Sequence, residues 1–290
     1  MERSLPADNN LSIRVYSAFV FVPLFLIVTF IGGIVFTLLI EALILLGLAE
    51  LYGILESGGL RPMKVSGYLL ATGVCIFASG FSNRPSLIIA GFTVTILIAL
   101  AFFTIGVILG RSPDSSLATI GGVIYVGWLF SLQIPLRDVA QGLQFTMASM
   151  TTDTLGWLLL IFGYAMVWTC DTSAYFVGKK FGRHRLIPSV SPGKTVEGAI
   201  GGFLSTVLVA FLFRGLFLPG FSTGLTAVLG ITAGLVSQLG DIFESMLKRM
   251  GNVKDSSRII PGHGGILDRF DGMLFALPAI YYILLAEAHF

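Results

Sequence analysis

Between Asp241 and Gly272 the chain gathers most of the residue types able to do chemistry. The core of this stretch, Ser245 to Asp271, reads SMLKRMGNVKDSSRIIPGHGGILDRFD. Charges of both signs alternate through it: Asp241, Glu244, Lys248, Arg249, Lys254, Asp255, Arg258, Asp268, Arg269 and Asp271. Gly262, Gly264 and Gly265 surround His263. Glycine lets backbone N–H groups approach a ligand closely. Lys and Arg suit phosphate, and paired carboxylates among oxygen neighbours suit a hard cation such as Mg²⁺. Together these are the parts for handling a metal-bound polyphosphate at a membrane surface. The plainer alternative is a solvated loop between two membrane helices. The tight combination of HGG, DRFD and separated basic residues counts against it.

Other acids fall inside apolar runs, where charge is expensive and usually functional. Asp171 lies in WTCDTSAYFVGKKFG. Asp241, Glu244 or Ser245, and Lys248 recur at helical spacing, so they share one face. Asp268 and Asp271 are also one turn apart. Asp171, Asp241, Asp268 and Asp271 are therefore expected to converge. Local salt bridges are the alternative for each, but a buried acid cluster without a cation would repel itself. Asp241, Asp268 and Asp271 are the candidate metal ligands.

A second cluster runs SVSPGKTVEG from Ser189 to Gly198. Its GKT invites a Walker A reading, which fails: the required first glycine is Pro188, and an apolar span follows in place of a soluble βαβ unit. A helix start fits better, with Ser191 as N-cap and Pro192 at the first helical position. Free N–H groups, the helix dipole and Lys194 would then make an anion site; a plain capping motif is the alternative. Lys194 is a plausible partner for Glu197. Glu41 and Glu50 admit two readings, lining a polar groove or, for Glu50, approaching the membrane interface. Glu287 reads as interfacial. Trp128, Trp157 and Trp168 read as packing or belt residues.

The elements that must position these residues are apolar. The 290 residues are 55% apolar and only 12% charged, with a mean hydropathy of +0.89. Soluble domains carry about 25% charged residues, so this is an integral membrane protein. Nine apolar segments are expected, at 15–31, 33–55, 67–81, 86–109, 117–135, 155–178, 194–216, 222–247 and 271–288. The third is short for a span and suits a tilted or re-entrant path. Lipid forces the spans to be helical. The fold class is all-α: a polytopic membrane protein of about nine transmembrane helices with a polar site open to the cytoplasmic side.

Charge orients the bundle. With nine spans, one side holds Arg3, Arg14, Arg61, Lys64, Arg111, Lys179, Lys180, Arg183, Arg185, Lys194, Lys248, Arg249, Lys254, Arg258 and Arg269, and the other only Arg84, Arg137 and Arg214. The positive-inside rule then puts the N-terminus and both charged loops in the cytoplasm. A connection at 136–154 falls outside, with Gly142 to Met150 as an interfacial helix. Residues 1–165 read as scaffold and 166–290 as the part bearing the site, within one membrane unit. No cleavage site follows the first apolar run, which reads as a retained helix. Cys75 and Cys170, far apart in apolar segments, suggest neither a disulfide framework nor a zinc site. The three histidines, His184, His263 and His289, argue against a His-rich metal centre. No repeat of 20–50 residues is present.

The pattern S-x-x-K-R-x4-K-D-x-S-x-x-I-P-x-H-G-G-x-x-D-R-x-D, on Ser245 through Asp271, resembles the signature of phosphatidate cytidylyltransferases, also called CDP-diacylglycerol synthases. The DTSAYFVGKKFG and SPGKTVEG stretches and Gly240-Asp241 are similar to that family too. The likeness is dense over about 170–272 and elsewhere rests on hydropathy. It implies that CTP and phosphatidate give CDP-diacylglycerol and pyrophosphate with Mg²⁺, in a homodimer with a polar cavity open to the cytoplasm and to lipid. A second, monovalent cation is left open. By the same resemblance Asp241, Asp268 and Asp271 surround the metal, while Lys194, Lys248, Arg249, Lys254, His263 and Arg269 surround phosphates or nucleotide. Ser191, Gly264, Gly265 and Asp171 join the substrate-binding set.

The expected chemistry is in-line attack of the phosphatidate phosphate on the α-phosphorus of CTP. The nucleophile is already anionic, so neutralisation and positioning matter more than a strong base. Partners are CTP, phosphatidate and membrane lipid, without nucleic acid. The short chain suits a bacterial inner membrane. Two rivals remain: a CTP-using polyprenol kinase, which would release CDP, and an ion-coupled transporter using Asp171, Asp241 and Glu244. The extended signature speaks against the kinase. The clustering of the acids at one end and the lack of an inverted repeat speak against the transporter. A purely structural anchor leaves HGG and DRFD unexplained.

Overall fold

Backbone N–H and C=O groups have no water to bond in a bilayer, so spans must satisfy them internally. The computed structural model describes residues 19, 21–139, 150–257, 259 and 264–289. Over these residues the apolar segments are helices. They are α1 (Phe21–Ile31), α2 (Gly33–Ser57), α3 (Lys64–Gly80), α4 (Pro85–Ile108), α5 (Pro113–Asp138), α6 (Thr152–Phe181), α7 (Val196–Phe217), α8 (Thr223–Met250) and α9 (Leu267–His289). Seven of the described helices are long and apolar enough to cross a membrane; α1 and α3 are shorter. The protein is an all-α polytopic membrane protein. Arg3, Arg14, Arg258, His263 and nearly all of the expected interfacial run, 142–149, lie outside the described residues.

Large side chains fill the interior, with Tyr52, Trp128, Phe130, Phe162, Tyr164 and Tyr281 fully buried. By contrast α4 turns Ile89, Val94, Leu97, Leu100 and Ile108 outward, as a lipid-facing helix should. The helix α5 contains one π-helical stretch, Val123–Trp128, which carries Tyr125 and Trp128 into the core.

The break between α1 and α2 is built from two glycines in the left-handed region, Gly32 (φ 69°) and Gly33 (φ 52°). It leaves the last carbonyls of α1 without helical partners. Arg137, placed outside the membrane by the charge pattern, is buried here at 6% exposure. Its guanidinium donates from Nε to Thr29 O (2.9 Å) and from Nη2 to Phe30 O (3.0 Å). A Cβ on Gly32 would sit 2.0 Å from Arg137 Cζ, so glycine makes room for the guanidinium as well as the turn.

The C-terminal helices approach through small residues, which lets backbones touch in lipid. A Cβ on Gly202 of α7 would lie 2.8 Å from Cys170 O of α6, and one on Gly198 2.7 Å from Ala174 O. On α8, a Cβ on Gly240 would lie 2.4 Å from Asp271 O of α9.

The region expected to start a helix at Ser191 does something else. Strands β1 (Arg185–Ile187) and β2 (Ser191–Thr195) form an antiparallel hairpin. The helix begins at Val196, and its N-cap is Thr195, whose hydroxyl accepts from Gly198 N at 3.1 Å. Pairing to β1, a partner lying before a turn, outweighs the local Ser191-Pro192 start. Lys194 is thereby held on a strand beside the helix start.

Arg137→Ala should leave the Thr29 and Phe30 carbonyls buried and unpartnered. Each such acceptor costs about 1–3 kcal/mol, so a clear fall in melting temperature in detergent is expected. Arg137→Lys, which cannot reach both carbonyls with a planar fork, should recover only part of it. An unchanged melting temperature for the alanine variant would show that the end of α1 is satisfied another way.

Candidate functional site

The backbone contact at Gly240 puts α8 against the first turns of α9, so Asp241 stands beside Asp271. Electrostatically, Asp271 has Asp241, Glu244 and Asp171 as like-charged neighbours. Asp171, on α6, has Asp241 as a like-charged neighbour and Lys194 and Arg269 as opposite charges. The convergence expected from the sequence therefore holds for Asp171, Asp241 and Asp271, with Glu244 added.

A cavity of about 740 Å³ opens between the hairpin and helices α6, α7 and α8. That is within the usual range for a small-molecule site, about 300–1,000 Å³. Asp171, Asp241, Gln238, Ser191 and Lys194 line it, with Lys179, Arg183 and Arg185 from the end of α6 and from β1. Lys194 Nζ meets Asp241 Oδ2 at 2.7 Å. The expected Lys194–Glu197 pair is not formed. Glu197 instead accepts from Arg183 N (3.0 Å) and His184 N (3.2 Å) and meets His184 Nδ1 at 2.6 Å. The hairpin is the physical reason, since it turns Lys194 towards α8 and brings residues 183–184 to the start of α7.

The remaining acids and the glycines of the signature stretch form a second assembly. Lys248 bridges Asp268 Oδ1 (2.7 Å) and the buried carboxylate of Glu244. The other oxygen of Asp268 accepts from Ser256 N (3.0 Å), Ser256 Oγ (2.9 Å) and Gly265 N (2.9 Å). Gly264, at φ 84°, lets the chain turn there: a Cβ would sit 2.7 Å from Asp268 Oδ2. Glu50 of α2 reaches the same loop and accepts from Ser256, Ser257, Ile266 and Leu267. Arg249 ties the hairpin to the end of α8, donating to Val190 O (3.0 Å) and Val253 O (3.4 Å). Lys254 and Arg269 are exposed.

Thus Asp171, Ser191, Lys194 and Asp241 share the cavity, while Lys248, Asp268, Gly264 and Gly265 build the loop beside it. Asp271 lies between the two groups. Among the described residues no three His, Cys, Asp or Glu side chains form a ready-made metal cage. Mg²⁺ seldom uses one: it takes one or two carboxylates and completes its shell with water and substrate phosphates. The donor set fits that pattern, because Asp271 has three acidic neighbours. Asp271 Oδ1 accepts from its neighbour Gly272 N at 2.7 Å.

Two features were not assigned from the sequence. The cavity-lining Lys179, Arg183 and Arg185 counted only towards membrane orientation. Glu50 was left between two readings, although it lies three residues after buried Gly47 and four before buried Ile54, on the inward stripe of α2. An acid on a buried stripe was the available signal.

The family model described as "Cytidylyltransferase family" matches residues 12–286. A protein named phosphatidate cytidylyltransferase from Bacillus subtilis is 31% identical over 265 residues, covering 90% of this chain and 92% of its own. One of the same name from Staphylococcus aureus is 32% identical over 281 residues, covering 95% and 99%. Another from Synechocystis is 33% identical over 284 residues, covering 93% and 95%.

Lys248 pairs with both Glu244 and Asp268, which are 1% and 12% exposed at their side chains. Removing one partner of a buried charge pair costs about 3–5 kcal/mol, so Lys248→Met should lower thermal stability sharply. Adding Glu244→Gln should restore part of the loss. A Lys248→Met protein that melts like wild type would show that the two acids are neutralised without it.

Proposed function

The chain belongs to the cytidylyltransferase family, and we propose that it transfers CMP from CTP to phosphatidate, giving CDP-diacylglycerol and pyrophosphate in phospholipid synthesis. The observation that carries this reading is the cavity at which Lys194, Asp241 and Asp171 meet, ringed by Lys179, Arg183 and Arg185. It combines cations for a triphosphate with acids for its metal, on helices that border lipid.

In the reaction, a phosphate oxygen of phosphatidate bonds to the α-phosphorus of CTP. The bond from that phosphorus to the bridging oxygen of the β-phosphate breaks, and pyrophosphate leaves. Lys194, Lys179, Arg183 and Arg185 bind and orient the phosphates, offsetting the repulsion between two anionic substrates. Substrate phosphate would draw Lys194 from Asp241, freeing that carboxylate. Asp241 and Asp271 are the residues that would hold Mg²⁺, with Asp171 near both. When bound, Mg²⁺ supplies neutralisation of the developing charge on the transferring and leaving phosphates. The sequence groups Asp268 with the metal ligands; its hydrogen bonds support a role in shaping the loop that leads into α9, on which Asp271 stands. Arg269 beside Asp171, with Arg249 and Lys254 at the rim, extends the positive surface towards nucleotide.

The basic ends of α6 and α8 and the hairpin support an orientation with the cavity facing the cytoplasm, where CTP is available. Bacterial relatives support a plasma-membrane location. A homodimer remains part of the proposal, and the outward apolar face of α4 is compatible with either lipid or a second copy.

The test is a product assay on the purified protein with α-³²P-CTP, phosphatidate and Mg²⁺. Label should pass to a lipid-soluble product only when both phosphatidate and the metal are present, and EDTA should abolish it. Water-soluble CDP as the labelled product would favour phosphoryl transfer and overturn the reading. Loss of a metal ligand forfeits several kcal/mol of transition-state stabilisation, so Asp241→Asn should lower kcat at least about a hundredfold. Full activity with an unchanged Mg²⁺ requirement would remove Asp241 from the metal site.

A further inference from the structure

The most completely satisfied acid near the site is on the far side of the sequence from it. Glu50 sits two turns from the end of α2 and is 4% exposed. Its Oε1 accepts from Ser257 Oγ (2.6 Å) and Ile266 N (2.8 Å). Its Oε2 accepts from Ser256 Oγ (3.0 Å) and Leu267 N (2.9 Å). Each oxygen thus takes one loop hydroxyl and one backbone N–H. Ile266 and Leu267 stand at the start of α9, where N–H groups lack helical acceptors and negative charge is favoured. A side chain of α2 therefore caps α9.

The fit is tight and specific to a carboxylate. A Cβ on Gly265 would lie 2.0 Å from Ser256 Oγ and 2.5 Å from Glu50 Oε2, so the loop backbone is pressed against the carboxylate. Two of the four groups around Glu50 are backbone N–H groups that can only donate, and each carboxylate oxygen takes one of them. A glutamine there would turn its NH₂ on one of these N–H groups, and the hydroxyl on that side would have to rotate to accept. Ser256 Oγ also lies 2.9 Å from Asp268 Oδ2. A chain of contacts therefore runs from Glu50 through Ser256 and Asp268 to Lys248 and Glu244, on the helix that carries Asp241.

We propose that Glu50 is a positioning residue for the transfer reaction: it holds Ser256, Ser257, Ile266 and Leu267, and with them the first turn of α9, and so sets where Asp271 and Arg269 stand. Glu50 touches no substrate in this scheme and acts through the loop. The proposal rests on the cytidylyltransferase reading for its consequence in catalysis, and on hydrogen bonds alone for its structural part.

The test uses the full chain in detergent with Glu50→Gln, Glu50→Asp and Ser257→Ala, alone and with Glu50→Gln added. Hydrogen–deuterium exchange reports the loop, and CMP transfer gives kcat and KM. In Glu50→Gln, amides of residues 253–267 should exchange faster while α4 and α7 are unchanged. Its kcat should fall at least about tenfold, with the KM for phosphatidate little altered. Glu50→Asp, which keeps four acceptor sites on a shorter stem, should recover part of both. The Ser257→Ala and Glu50→Gln effects on kcat should be less than additive, as expected for groups acting together. Wild-type exchange over 253–267 in Glu50→Gln would overturn the proposal. So would normal kcat with a loosened loop, or a loss of activity that tracks a fall in melting temperature with kcat per folded molecule unchanged. A wild-type protein that makes no lipid product would sink the reaction instead, and exchange would still decide whether Glu50 holds the loop.

Discussion

An ionised carboxylate taken out of water costs several kcal/mol unless donors or cations replace its hydration, and this chain gathers six acids in one neighbourhood, from buried Glu50 and Glu244 to Asp171, exposed on the cavity wall. Each is treated differently. Glu50 receives four neutral donors. Asp268 receives Lys248 and two backbone N–H groups, and shares the single hydroxyl proton of Ser256 with Glu50. Glu244 shares Lys248, and Asp241 holds Lys194. Asp171 has Lys194 and Arg269 as opposite charges, while Asp271 has three acidic neighbours and a hydrogen bond from Gly272 N. Uncompensated negative charge is thus concentrated where the cavity meets the start of α9. That is where a hard cation would contribute most, since its charge would relieve repulsion the protein itself leaves standing.

Bringing charges so close requires the helices to approach without bulk between them. Gly240 supplies this on α8, and Gly198 and Gly202 supply it on α7. The same device serves packing and electrostatics together. A larger residue at 240 would push the backbone of Asp271 away and widen the gap between the two acids most suited to share a cation. Arg137 shows the complementary device at the other break in the bundle, where a buried guanidinium substitutes for water at the end of α1.

What could be read in the sequence followed from local pattern. Apolar runs located the helices because lipid leaves the backbone no alternative. Helical spacings, two turns from Asp241 to Lys248 and one turn from Asp268 to Asp271, placed each pair on one face. The match to the cytidylyltransferase family over residues 12–286 agrees with the signature read from Ser245 to Asp271. What could not be read depended on partners far along the chain. Ser191 has every local feature of an N-cap, yet β1 claims it as a strand. Lys194 has Glu197 one turn away, yet pairs with Asp241. Glu50 contacts residues more than 200 positions later, and no local rule announces such a pairing.

The resulting site joins two unlike halves. Among the described residues, the loop beside Glu50 and Asp268 is well satisfied: the Ser256 and Ser257 hydroxyls, the amides at 256 and 265–267 and both carboxylates have partners. The cavity is the reverse. Lys194 and Asp241 neutralise each other in a direct ion pair that phosphate and metal could separate, while Lys179, Arg183 and Arg185 also line the cavity. Two anionic substrates need cations that can move onto them and a frame that cannot. Phosphoryl chemistry places little covalent demand on the protein and much on alignment. A well-satisfied loop holding the first turn of α9, next to an exchangeable ion pair on α8, meets both requirements with residues drawn from α2 as well as from the signature itself.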